Sequence, residues 1–217
     1  ELEIVGLLSL AGLFTLLYVR EVTASTGAGL ISGVAFSLGG YLTSYPMLQM
    51  IILQVAVWMP AALWLVERGL RRRSLLQTAL AGVACGVGIL GGHFQTVLYV
   101  SYVTGAYLLF RAAQERIGWR WSLLALLAVG GAAFGVGAPQ LLPSAEIIPL
   151  STRGRLDYAT LGQGFRPEEW CGLLRPNRGQ WSPLYVGLPT VALAVVAPIS
   201  ATRNRRARGQ TGFWIAV

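Results

Sequence analysis

The chain has one histidine, His93, and it stands in a glycine-flanked turn, Gly91-Gly92-His93-Phe94-Gln95. The two glycines let the backbone bend sharply, and an imidazole beside a carboxamide can hold a phosphate or a sugar. The same pair can equally cap the ends of the flanking helices at the depth of lipid headgroups, and this is the plainer reading. Between 137 and 150 two further polar residues, Gln140 and Glu146, lie among apolar neighbours and three prolines, Pro139, Pro143 and Pro149. Prolines free backbone carbonyls, and an ionisable group at membrane depth is costly enough to be read as functional. The spacing predicts a helix broken at these prolines. Alternatively, Glu146 lies just above the membrane and pairs with Arg153, seven residues on. Arg153, Arg155, Asp157 and Tyr158 follow, and guanidinium groups there suit a lipid-linked phosphate, although ordinary ion pairs of a solvated loop explain them as well. Pro167-Glu168-Glu169 is a good helix start. Trp170, Leu173 and Leu174 then fall at helical spacing, as in a short helix lying in the membrane interface. The candidate substrate-binding residues are therefore His93, Gln95, Gln140, Glu146, Arg153 and Asp157.

Other chemistries lack material. One His, one Asp and two widely separated cysteines, Cys85 and Cys171, offer no metal-ligand spacing. No cofactor is identifiable, and there is no nucleophile elbow, P-loop or HExxH motif.

The elements that must position these residues are membrane helices. Of 217 residues, 54% are hydrophobic and only 12% charged, more apolar than a soluble domain can hide. Each crossing requires about 20 apolar residues in a helix, because lipid leaves backbone groups unsatisfied otherwise. Seven segments qualify: 4–19, 27–42, 47–66, 75–90, a fifth from the His93 turn to 110, a sixth from 121, and 183–200. The residues after 211 read as the first turns of an eighth. The expected fold is an all-α polytopic bundle forming one transmembrane domain over 1–217, with a loop at 143–182 between the sixth and seventh spans. The beginning, Glu1-Leu2-Glu3, has no basic leader region, and the chain reads as an internal piece of a longer protein.

All 17 basic residues are arginines, and they set the orientation. Arg20, Arg68, Arg71–Arg73, Arg111, Arg116, Arg120, Arg203, Arg205, Arg206 and Arg208 fall on one side if the spans alternate, and basic short loops stay in the cytoplasm. The His93 turn, the turn at Tyr45-Pro46 and the 143–182 loop then share the extracytoplasmic face. A sequence pI near 10.2 thus reflects membrane topology, and nucleic acid is not an expected partner. A faint internal echo is also present. Gly33-Val34-Ala35 and Gly82-Val83-Ala84 each open a small-residue helix followed by Gly-Gly, a polar turn and an apolar helix, a pattern that a repeat or the abundance of Gly and Ala explains equally.

In this order, the features resemble YfhO-like bacterial membrane proteins of the GT-C glycosyltransferase superfamily. The resemblance covers roughly residues 27–200. It is carried by Ala56-Val57-Trp58-Met59-Pro60 with Glu67-Arg68, the Gly92-His93-Phe94-Gln95 turn, Gln140-Leu141-Leu142-Pro143 leading to Glu146 and Leu150-Ser151, and Tyr185-Val186-Gly187-Leu188-Pro189. The resemblance implies a protein of the bacterial cytoplasmic membrane. It would move a sugar from a polyprenyl-phosphate-linked donor to an extracytoplasmic cell-envelope glycan or polymer. It further implies a carboxylate base in the first outer loop, upstream of Glu1, and leaves room for a divalent cation in the full-length protein. The only adjacent acidic pair here, Glu168-Glu169, departs from an Asp-x-Asp pattern and reads as a helix start. Transport of a lipid-linked or polysaccharide substrate is the alternative, with the proline-rich sixth span as its moving gate.

Overall fold

The computed structural model describes residues 1–44, 49–151, 167–175, 184–201 and 205–217. Among these the chain is all-helical. The helices are α1 (Leu2–Thr23), α2 (Thr26–Ser37), α3 (Gly40–Ser44), α4 (Met50–Ala56), α5 (Trp58–Arg72), α6 (Leu75–Leu90), α7 (Phe94–Gln114), α8 (Trp119–Ile147), α9 (Leu188–Ala201) and α10 (Arg205–Ala216). Short 3-10 turns cover Ile148–Leu150 and Pro167–Leu173.

Local chemistry sets the boundaries. Ser25 and Ser74 precede α2 and α6, and their hydroxyls accept from Ala28 N at 3.2 Å and Gln77 N at 3.4 Å, satisfying amides that a helix start leaves open. The expected third span is divided at Val57. Pro60 sits in the first turn of α5, where its missing N–H costs least, and cannot return a bond to the Ala56 carbonyl four residues back.

Small residues decide which helices touch. A Cβ on Gly33 would stand 2.7 Å from the Gly12 carbonyl oxygen, and one on Gly29 2.8 Å from that of Leu16, so α2 lies directly on α1. The seam between α6 and α8 is of the same kind. A Cβ on Gly82 would collide with the Val129 carbonyl oxygen, one on Gly86 would approach Val136 Cβ to 2.6 Å, and Gly137 admits the Ile89 side chain. Such contacts are how helices associate where no hydrophobic force drives them together. On the other side of α8, Gly130, Gly131 and Gly135 face open space, beside Leu127 and Phe134, 61% and 55% exposed. α5 is central: Leu63, Val66 and Leu70 join one buried cluster with Tyr107 and Leu108 of α7, and Ala61 and Ala62 join another with Ala84, Cys85 and Val100.

Three helical stretches are long and apolar enough to cross a membrane: Leu2–Thr23, Met50–Arg72 and Trp119–Leu150. The first and last are peripheral and expose apolar faces, while the second is largely enclosed. α6 and Leu188–Ile199 are apolar but shorter, and α2, with 12 residues, ends at Ser37 before the chain re-enters helix at Gly40.

Two expectations are corrected. Pro139 and Pro143 do not break the sixth segment, because α8 runs through both to Ile147. Membrane helices tolerate proline where neighbours support the backbone, and α6 holds α8 through Val129, Val136 and Gly137 up to the proline pair. Residues 143–150, expected as the start of the loop, are helical instead. The Pro167 segment is helical as expected, but as a 3-10 helix, with Trp170 and Leu174 exposed.

Candidate functional site

Polar side chains gather at the two ends of the bundle. At the arginine-rich end, α5 contributes Glu67 and Arg71 one turn apart, and α7 contributes Tyr107, Arg111 and Glu115, spaced four residues apart and so on one face. Arg111 meets Glu67 in a bidentate pair, Nε to Oε2 and Nη2 to Oε1, both 2.8 Å. Arg71 Nε donates to Oε1 at 2.8 Å and the Tyr107 hydroxyl to Oε2 at 3.0 Å. Arg111 also donates to Glu115 at 2.8 Å and to the Gln114 carboxamide. Arg71 continues the network to Glu21 on α1, 3.6 Å away.

Glu67 is 0% and Arg111 1% exposed. Tyr18 sits edge-on to Tyr107 at 5.7 Å, and Phe213 and Trp214 of α10 cover the same ring at 5.6 and 6.0 Å. This enclosure strengthens the pair's attraction while making its separation costly. A carboxylate has about four acceptor sites, and all four on Glu67 are engaged by two guanidiniums and a phenol. No site remains to take a proton from a substrate. The arrangement is a clamp that fixes α5, α7 and α1 in register.

The opposite end is poor in charge but not free of it: Gln54 of α4, whose Cβ lies beside Gly91, donates from Nε2 to Glu3 Oε1 at 2.8 Å. His93 caps α7: its Nδ1 accepts from Thr96 N at 3.3 Å and lies 2.7 Å from Thr96 Oγ1. Gln95 donates from Nε2 to the Tyr99 hydroxyl at 3.1 Å. Tyr41 of α3 faces Thr96 and Tyr99. Gly92 adopts φ 78°, which only glycine takes without strain. A Cβ there would stand 3.5 Å from the Gln140 carboxamide nitrogen, so α8 delivers Gln140 against the turn. The Gly40 amide donates to the Tyr185 carbonyl at 2.6 Å, bringing the segment after the long loop to the same end.

Gln140 therefore lies beside the turn that carries His93, while Gln95 is exposed and bonds along α7 to Tyr99. Glu146 does not join them. It is exposed on the last turn of α8, and six residues of helix place it about 120° around the axis and about 9 Å along it from Gln140. Arg153 and Asp157 lie outside the described residues, as do Tyr45 and Pro46. Among the described residues no group of three His, Cys, Asp or Glu side chains is placed to hold a metal ion.

The Glu67–Arg111 clamp was not legible as a site in the sequence, where Arg111 is one more basic residue closing an apolar segment. Its available signal was the Tyr107, Arg111, Glu115 stripe on α7 beside the Glu67, Arg71 pair on α5. Compared with protein-family models, curated proteins and solved structures, the chain matches none.

Proposed function

We propose that this chain is the membrane core of a GT-C-like glycosyltransferase, crossing the bacterial cytoplasmic membrane about seven times. Its His93 end faces outward and holds the sugar of a polyprenyl-phosphate-linked donor during transfer to a cell-envelope acceptor. The supporting observation is that Gln140 lies beside the glycine turn that carries His93, at the end of the bundle where Gln95, Tyr99 and Tyr41 also stand. Carboxamide, imidazole and phenol groups donate to and accept from hydroxyls without carrying a fixed charge, which suits a sugar better than a phosphate. A general base must lie within hydrogen-bond reach of the acceptor hydroxyl. Glu67 is saturated and lies at the other end, so it is not that base; this reading takes the base to be the outer-loop carboxylate that the family resemblance implies. The transport reading relied on a helix broken by proline, and α8 is continuous.

The test uses the full-length protein in membrane vesicles supplied with a labelled polyprenyl-phosphate hexose. Label should pass into envelope polymer, and Gln140→Ala should raise the donor KM about tenfold while leaving the protein folded, the loss expected for about one hydrogen bond of 1–1.5 kcal/mol. No transfer by the wild type, with the donor intact and the protein inserted, overturns the reading. Orientation is read separately, with Cys85 and Cys171 replaced by serine. Cysteines introduced at Gln95 and Glu168 should be labelled from outside, and one at Arg73 only after permeabilisation.

A further inference from the structure

At the arginine-rich end, a bowl of about 450 Å³ opens between the last turn of α1 and the last turns of α5. That volume lies within the range of about 300–1,000 Å³ typical of small-molecule sites. Arg20, Arg68, Arg71 and Arg72 line it against a single carboxylate, Glu21, with Trp64 and Leu17 as an apolar wall. The cations are not internally neutralised. Arg71 is shared between Glu67 and Glu21, and among the described residues Arg20, Arg68 and Arg72 form no ion pair. Arg68 is also incompletely satisfied: its guanidinium lies 5.0 Å from the centre of the Trp64 ring, and its Nε is shielded from solvent without a hydrogen-bond acceptor. A buried charged donor left open costs stability that an incoming acceptor would recover.

We infer that this bowl binds a phosphate-bearing anion, held by Arg20, Arg68 and Arg72. Guanidinium forks match phosphate oxygens, and tetrahedral phosphate presents oxygens in several directions at once, as arginines on two helices require. The position favours the headgroup of an anionic lipid. α1 and α5 end here, both belonging to membrane-length stretches, and Leu17 and Trp64 supply the apolar side along which acyl chains would descend. A soluble phosphorylated molecule shares the same chemistry. The site stands at the end of the bundle opposite His93 and does not depend on sugar transfer.

The test places the chain in nanodiscs of phosphatidylcholine with a minority of phosphatidylglycerol and measures, by native mass spectrometry, which lipids remain after mild release. The wild type should retain phosphatidylglycerol in preference to phosphatidylcholine. Arg20→Gln, Arg68→Gln and Arg72→Gln should each lower that preference about fivefold, the scale of one arginine at a membrane surface. Arg120→Gln, at the start of α8 and outside the bowl, should leave it unchanged. Arg20 and Arg72 are exposed, so their variants remain informative even if Arg68→Gln misfolds. A second arm adds millimolar inorganic phosphate. Lipid that resists displacement assigns the site to a headgroup, whereas displacement assigns it to a soluble phosphate. No preference in the wild type together with no binding of phosphate overturns the inference, as does an equal loss in Arg120→Gln, which would mean diffuse surface charge.

Discussion

The two ends of the bundle use polar residues in opposite ways. At the arginine-rich end, the charges of the Glu67–Arg111 clamp, unlike those of the neighbouring bowl, are buried and saturated: Glu67 has every acceptor site engaged and Arg111 is 1% exposed. At the His93 end the groups are mostly neutral and closer to the surface, with Glu3 as a carboxylate held by Gln54, and the hydrogen bonds of His93 and Gln95 are local, within a turn of α7. The difference teaches where rigidity is placed. A buried ion pair is a poor source of net stability but penalises every arrangement that separates its members. A set of neutral donors and acceptors held on helix ends can exchange partners with a ligand at little cost.

The contrast breaks most readily at Glu67. Glu67→Ala should destabilise the protein by about 3–5 kcal/mol, because it leaves Arg111 buried without its partner. Denaturant unfolding in detergent measures this, and the Glu67→Leu/Arg111→Leu double variant should recover most of the loss. A small effect of Glu67→Ala alone would show that water reaches the clamp. Next in size is Tyr107→Phe, which deletes one hydrogen bond to a charged acceptor and should cost about 1.5–3 kcal/mol in the same assay. Gly82→Ala drives a methyl into the Val129 carbonyl and should cost about 1–3 kcal/mol by overpacking. Gly131→Ala, on the open side of α8, should be neutral or stabilising by up to about 1 kcal/mol. At the His93 end the stakes fall. His93→Ala removes a helix cap worth about 1 kcal/mol, and His93→Asn should restore it. If His93 also contacts substrate, His93→Asn recovers melting temperature but not transfer, which sharpens the distinction between cap and ligand. Glu146→Gln, at an exposed position, should change stability by under about 0.5 kcal/mol.

The sequence pattern located most helices closely. Segment 75–90 coincides with α6, and the turn at Gly91-Gly92-His93 leads directly into α7. These were legible because a long apolar run between an N-capping serine or histidine and a glycine or arginine stop is a local signal. The proline-rich segment misled: Pro139 and Pro143 are strong breakers in isolation, but whether a helix yields depends on what supports it, here the glycine seam with α6. Gln140 was legible as an unusual polar residue, though not as a neighbour of Gly92.

By itself the sequence determined an all-helical chain whose arginines cluster between apolar runs, with its lone histidine in a glycine turn. Composition and periodicity are sums over near neighbours along the chain, so they carry that much. Only the tertiary structure decided that Arg111 faces Glu67, 44 residues away, rather than water. It also decided that Gln140 comes to the His93 turn while Glu146 is left exposed, and that four arginines from two helices surround one bowl. Such choices are made by backbone approach at particular glycines and by the rotation of each helix about its own axis, and neither is set by the residues nearest in sequence.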